Sequence, residues 1–403
     1  MSDTPVRTGH GRHTAILTRM VARRRDEEHR AATPLELFFD LCFVVAVSQA
    51  GARLVHAVAE GDPAHGVTGY LFVFFAIWWA WVNFTWFASA YDCDDVPYRL
   101  ATLVQIAGVL VLAAGIPRAF DGDYTLAVAG YLIMRVALTG QWLRAARGER
   151  GPARRAALQY AAGLMVVQAG WVVLLLLPDA AWWWGFVPLV VADLAVPAVA
   201  ERTHPTPWHP HHIAERYGLF TIIVLGESIL AASTAVRAAL DEHTALGELL
   251  PIAAGGLVIV FCAFWIYFAS PTHEYLAGVR RPLWWGYGHY VIFGSAAAIG
   301  AGIEVAVEQA THHAHISTLA ASFAVTAPTA LFMITVWLVH TRHFKHGAAQ
   351  HLVLPAGAVL VLATTFAGRW AVPLASLAAA LTVATGLYLT TQNSRAPHHT
   401  TTG

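Results

Sequence analysis

Two carboxylates and an arginine sit inside one apolar run, His211-His212-Ile213-Ala214-Glu215-Arg216-Tyr217-Gly218-Leu219-Phe220, continuing through Glu227-Ser228. Charge in hydrocarbon is costly, so an ionisable side chain placed there has a partner or a task. At about 100° per residue, Arg216 and Glu227 fall within about 20° of one helix face, whereas Glu215 lies about 120° from Glu227. An acid pair opens a second apolar run, Pro34-Leu35-Glu36-Leu37-Phe38-Phe39-Asp40-Leu41. Glu36 and Asp40 share a face at i,i+4. They either complement the N-terminal dipole of their helix and the arginines before it, or accept a proton or cation at the entrance of a helix bundle. Asp40, about 7 Å further along the helix axis than its start, fits the second reading better than Glu36.

Other ionisable residues lie deeper. Asp193 stands between Pro188 and Pro197, which free backbone carbonyls and permit a kink beside the acid. Broken helices next to an acid are a common way to build an ion site in a transporter. The competing reading is an interhelical ion pair, with Arg135 the candidate partner for Asp193 or Glu227. Glu36, Asp40, Arg135, Asp193, Glu215, Arg216 and Glu227 are therefore the candidates for a polar, ion-coupling interior.

A metal site is the weaker alternative. His211 and Glu215 share a face at i,i+4, His212 adjoins them, and Asp92, Asp94 and Asp95 belong to the same membrane face. Acids and histidines together suit Zn²⁺ or Mn²⁺ and so an intramembrane hydrolase. Neither an HExxH nor a paired CxxC motif is present, and Pro205, Pro207 and Pro210 equally describe a stiffened, solvated linker. Trp78, Trp79, Trp81 and Trp86 run along one segment beside Asn83, as core packing or as an aromatic wall facing a substrate. Glycines such as Gly108, Gly300 and Gly302 permit helices to approach closely.

These residues must be positioned by membrane helices. The 403-residue chain is 57% apolar and 12% charged, with no net charge and a mean hydropathy of +0.53. Soluble domains run nearer a quarter charged. The balance excludes a nucleic-acid partner, and no nucleotide, haem or flavin fingerprint appears, so no cofactor is expected. Three cysteines in apolar or acidic surroundings make no disulfide framework, and the first thirty residues lack the apolar core of a cleavable signal.

Apolar runs at about 35–58, 67–90, 98–117, 124–143, 156–177, 182–200, 213–236, 249–270, 284–307, 316–340, 349–367 and 371–391 each approach the ~20 residues that cross a bilayer. The expected fold is all-α and polytopic, with about 12 transmembrane helices. With the N-terminus inside, 20 of the 25 basic residues fall on inner segments, which makes both termini cytoplasmic. The expected organisation is an Arg-rich tail (1–33, with a short surface helix around Ala15–Arg25), a first membrane repeat (34–200), a His/Pro-rich linker (201–212), a second repeat (213–391) and a C-terminal tail (392–403). Three correspondences suggest two parallel six-helix repeats. Glu36 and Glu215 are 179 positions apart, Phe87-Ala88-Ser89 and Phe268-Ala269-Ser270 are 181 apart, and Trp184-Gly185-Phe186-Val187-Pro188 resembles Trp370-Ala371-Val372-Pro373.

The stretches "PLELFFDLCFVVAVSQ" and "HHIAERYGLFTIIVLGESIL" resemble the two signature segments of the bacterial low temperature requirement A (LtrA) family. The resemblance implies a multi-pass protein of the bacterial cytoplasmic membrane, linked by name to growth in the cold, and it supplies no established reaction or substrate. The expected function is a transporter or permease of a small ion or solute, coupled to protons or cations, with membrane lipids as its surroundings. A metal-dependent membrane enzyme using the His/Asp group and a non-catalytic membrane sensor or scaffold are the alternatives; the sequence names neither substrate nor oligomeric state.

Overall fold

The computed structural model describes residues 16–24, 27, 30–178, 182–241, 246–278, 282–345 and 347–395, and among these every regular element is helical. The first half comprises α1 (Pro34–Ala59), α2 (Pro63–Tyr91), α3 (Val96–Phe120), α4 (Thr125–Gly148), α5 (Gly151–Leu174) and α6 (Trp182–Thr203). The second comprises α7 (Pro210–Asp241), α8 (Leu246–Phe268), the short α9 (Thr272–Gly278), α10 (Leu283–Ala310), α11 (Thr318–Val339), α12 (Ala348–Ala363) and α13 (Ala371–Arg395).

Local chemistry sets the boundaries. Thr33 and Glu36 form a capping box, each side chain accepting from the other's backbone N–H, and Pro34 opens α1, where its missing N–H is no loss. Asp62 and Asp95 cap α2 and α3 by accepting from the His65 and Tyr98 N–H groups, each followed by a proline in the first turn. Gly368, at φ 59° and ψ −130°, breaks the helical run after α12, and α12 and α13 then fold back to pack on each other.

Ten helical stretches among the described residues are long and apolar enough to cross a membrane, Ala348–Gln392 counting as one of them. The chain is thus a polytopic membrane protein. The 32-residue α7 lies outside those ten.

Helix pairing follows much the same order in both halves, although α8 also packs closely on α13, which α2 and α6 do not match. α1 packs on α2 and α3, α3 on α4, α4 on α5 and α5 on α6; α7 packs on α8 and α10, α10 on α11, α11 on α12 and α12 on α13. The halves meet where α1 and α2 contact α7 and α10. One detail recurs. α3 and α4 cross backbone to backbone, with a Cβ on Gly108 falling 2.8 Å from the Gly130 carbonyl oxygen. α10 and α11 do so at Gly302, where a Cβ would lie 2.1 Å from the Ala324 carbonyl oxygen. Gly302 and Ala324 each stand 194 positions after Gly108 and Gly130.

The N-terminal segment departs from expectation. Residues 16–24 are not helical; they form a strap across the end of the bundle at which α1 begins, hereafter the tail end. Thr18 N–H donates to Asp95 at 2.7 Å, Arg19 to the Gly148 carbonyl at 2.7 Å, Ala22 N–H to Glu149 at 2.7 Å and Arg23 N–H to the Ala90 carbonyl at 2.9 Å. The C-terminal carbonyls of Ala90 and Gly148 and the carboxylates of Asp95 and Glu149 thus take the strap's donors, some of which would otherwise serve a helix of its own.

Gly302→Val is expected to force α10 and α11 apart and lower stability by about 1–3 kcal/mol. Thermal melting of the purified protein measures this; an unchanged melting temperature would contradict the backbone contact.

Candidate functional site

The capping box turns the Glu36 carboxylate back over the start of α1, and Asp40 follows one turn later. α7 faces them with His212 and Arg216, again one turn apart. All four side chains are fully buried. Arg216 Nε donates to Asp40 Oδ2 at 2.9 Å, and Nη2 to Asp40 Oδ1 at 2.5 Å. Its Nη1 stands 3.1 Å from Glu36 Oε1. Only the planar fork of arginine reaches two carboxylates in this way. α2 completes the shell: Trp81 Nε1 donates to Asp40 Oδ1 at 2.7 Å, and Thr85 Oγ1 accepts from Arg216 at 3.3 Å.

His212 Nε2 lies 3.2 Å from Glu36 Oε1 and 3.3 Å from Oε2. A carboxylate only accepts, so the proton on Nε2 is the one shared with Glu36, and Nδ1 carries the lone pair. His212 Nδ1 is buried without a hydrogen-bond partner. Two carboxylates share one guanidinium, with Arg30 the next buried cation and Glu36 its strongest electrostatic attraction, and the imidazole holds a vacant proton position beside them. Chemically, the arrangement can take up one proton or one small cation.

A second buried pair occupies the first half alone. Arg135 of α4 donates to Asp193 of α6. Asp193 also accepts from Trp79 Nε1 at 3.2 Å and Trp171 Nε1 at 2.8 Å, while Arg135 lies over the Tyr131 ring at 4.9 Å. Asp193 thus takes Arg135, the partner sought for either acid. Glu227 is half-buried, with no hydrogen bond or ion pair among the described residues, near enough to Glu304 of α10 for their like charges to interact. Glu215 accepts from Ala32 N–H at 3.1 Å, tying the residues just before α1 to α7. The seven candidates therefore fall into two groups, Glu36–Asp40–Arg216 and Arg135–Asp193, with Glu215 and Glu227 apart from both.

The residues considered for a metal are dispersed. His212 belongs to Glu36, and His211 sits against the His273 ring at 5.6 Å. Asp94 pairs with Arg99 at 2.8 Å, and Asp95 caps α3 while binding Arg144. Among the described residues no three His, Cys, Asp or Glu side chains converge as a metal ion requires.

Sequence reasoning missed two features. His289 of α10 and His340 approach Nε2 to Nε2 at 3.1 Å, fully buried, with the Tyr267 hydroxyl 3.1 Å from His289 Nε2. A histidine inside the apolar run of α10 was the available signal. The other is a small cavity between the halves, walled by Trp79, Trp86, Trp142, Tyr160, Trp208 and Tyr287. Trp79 donates to Asp193; Trp86 Nε1 donates to the Tyr217 hydroxyl at 2.9 Å, and Tyr217 packs on Trp81 at 4.8 Å. The cavity wall is thereby joined to both buried charge clusters.

Outside the helices, burial pushes the Asp92 carboxyl up to about 6, with the charge of Glu36 adding to it against Arg30 and Arg23. Burial opposes ionisation of Asp95 as well, but Arg144 and the N–H groups of Thr18 and Tyr98 outweigh it and hold that carboxyl down to about 2. A raised folded-state value means that Asp92 stabilises the fold fully below about pH 4 and loses that contribution as pH rises through about 6. Asp95 acts oppositely, its contribution present above about pH 4 and lost as pH falls through about 2. Asp92→Asn is expected to flatten the fall in melting temperature between about pH 4 and 6; an unaltered slope would contradict this assignment.

A family model described as bacterial low temperature requirement A protein (LtrA) matches residues 31–388. An uncharacterized protein of Rhizobium meliloti (strain 1021) is similar, 30% identical over 229 residues, covering 53% of each chain. The chain thus spans about half the length of the curated relative it matches.

Proposed function

The chain belongs to the bacterial low temperature requirement A (LtrA) family, and from that premise we propose that it is a proton- or cation-coupled transporter of a small solute, active in the bacterial cytoplasmic membrane during growth in the cold. The observation that carries the reading is the Glu36–Asp40–Arg216–His212 cluster: fully buried, between the halves, with two acids on one guanidinium and a histidine Nδ1 that has no partner. A purely structural pair gains nothing from an excess buried carboxylate, which costs desolvation energy. A coupling site needs one.

The proposed architecture is twelve spans in two parallel six-helix repeats with both termini cytoplasmic. Counting α7 as a span, and α12 and α13 as two, gives the even number. The repeated order of helix pairing and the shared 194-position offset at the Gly108–Gly130 and Gly302–Ala324 crossings support duplication. The offset grows from 181 to 194 across α9, a helix present in the second half alone. The halves differ in chemistry, since Ala378 stands near the place of Asp193. The aromatic cavity joined to both charge clusters supports the placement of the solute between them.

Reconstitution tests the coupling. Liposomes holding the protein and a pH-sensitive dye are expected to show solute-dependent dissipation of an imposed proton gradient, reduced about tenfold or more by Glu36→Gln or Asp40→Asn, each removing one acid of the coupling cluster. Glu227→Gln is expected to insert and to impair flux, as a second acid on the route. Solute flux indifferent to the proton gradient and to all three substitutions would contradict the reading.

A further inference from the structure

We propose that the groove between α8, α12 and α13 at the tail end binds one anionic phospholipid, with its phosphate on Lys345 and Thr341 and an acyl chain in the apolar crevice. This goes beyond the transporter reading and does not depend on it. Charge gives the first indication. No Asp or Glu follows Glu308, so Arg342, Lys345, Arg369 and Arg395 have no acid anywhere in the last part of the chain. Lys345, the only lysine, stands between the short 3₁₀ turn Thr341–Phe344 and α12.

Helix packing shapes the groove. α8 and α12 each pack on α13. Near the opposite end of the bundle α8 lies tight on α13, where a Cβ on Gly255 would fall 3.1 Å from the Val372 side chain. α12 crosses α13 about midway, where a Cβ on Gly357 would fall 2.3 Å from the Thr382 hydroxyl. One turn closer to the tail end, a Cβ on Gly386 would meet Val353 alone, at 3.9 Å. The helices therefore part toward the tail end. They leave a groove of about 430 Å³, walled by Phe264, Phe268, Leu354, Val383 and Leu387 and reached by Thr341 and Lys345. That volume is within the range of small-molecule sites.

The polar groups lining it are unevenly satisfied. Thr382 and Thr390 donate to carbonyls of their own helix at 2.7 and 2.8 Å, and Gln350 donates to the Leu389 carbonyl at 3.2 Å. The Thr341 hydroxyl is buried without a partner. Lys345 is half-buried and has no ion pair or hydrogen bond among the described residues. Burial pushes its ammonium down from lysine's usual value, with no acid opposing the shift. No acidic side chain lines the groove. A partly desolvated cation and an unmet hydroxyl over an apolar crevice suit an anion that carries an alkyl chain. The bilayer presents that combination at the end of a membrane helix, phosphate at the interface and acyl chain beneath it. A groove of about 480 Å³ bounded by α1, α2, α10 and α11 is lined by no charged side chain. It can take an alkyl chain without selecting the headgroup.

Native mass spectrometry of the full chain, released from detergent with defined lipids, tests the site. The probes are phosphatidylglycerol and phosphatidylcholine with identical acyl chains. Phosphatidylglycerol is expected to be held about fivefold or more tightly than phosphatidylcholine. Lys345→Gln is expected to abolish that preference while leaving phosphatidylcholine unchanged, and Thr341→Val to reduce it. Arg342→Gln removes an exposed charge outside the groove and is expected to leave the preference intact. Gly386→Leu places a side chain in the crevice and is expected to weaken both lipids together. Thermal melting establishes that each variant is folded, and Lys345 and Thr341, both outside the long helices, give two independent substitutions. Equal retention of the two lipids, or equal losses from Lys345→Gln and Arg342→Gln, overturns the proposal. So does displacement of phosphatidylglycerol by inorganic phosphate, which would make this a site for a free ion.

Discussion

The guanidinium of Arg216 is the constraint on which the rest depends. It is fully buried and spans both acids of α1, one through a two-pronged hydrogen bond and the other at 3.1 Å. Removing one partner from such a group leaves uncompensated charge in a medium of low dielectric, typically costing about 3–5 kcal/mol. α1 and α7 are the leading helices of the two halves, so this contact fixes how the halves meet. Around it, Trp81 and Thr85 of α2 and the capping box of Thr33 hold the acids in place, while Arg30 and the strap cover the tail end. The side chains that fix the packing are thus the same ones that carry buried charge.

Symmetry of scaffold and asymmetry of chemistry divide the molecule's tasks. Helix order and close crossings recur between the halves, because small residues at the crossings and apolar stripes along the helices suffice to build that framework. Polar groups do not recur. Asp193 and Arg135 sit in the first half, His289 and His340 in the second. The aromatic cavity borders both halves; its wall reaches Asp193 through the hydrogen bond of Trp79 and Asp40 through Trp86, Tyr217 and Trp81 in turn. Occupancy there and protonation of His212 beside Arg216 would act on the same packed rings, Trp79, Trp81, Trp86 and Tyr217.

Much of the fold was legible in the sequence because membrane spans are written locally, as long apolar runs closed by proline and capping residues. The ionisable candidates were legible for the same reason: a charge stands out against hydrocarbon. Their pairing was not. Glu36 and Arg216 are 180 positions apart and His212 and Glu36 176, and helical periodicity describes one helix at a time. Arg216 shares a face with Glu227 on paper, yet its partners come from α1, since neighbouring helices decide which charges meet. The strap was misread as a surface helix because arginine-rich sequence has good helix propensity; tertiary hydrogen bonds from Asp95, Gly148 and Glu149 override it. The cavity was invisible because its rings come from α2, α4, α5, the 204–209 connection and α10, and only packing assembles them.

The account turns on where an added proton resides. Nitrogen NMR of the His212 imidazole, in protein labelled at histidine and held in lipid nanodiscs, reads this directly. It predicts that Nδ1 gains a proton reversibly over the pH range in which coupled flux changes, with Nε2 remaining protonated toward Glu36, and that Glu36→Gln shifts or abolishes the transition. A His212 that keeps its neutral form throughout that range, with flux still varying with pH, would contradict the central claim.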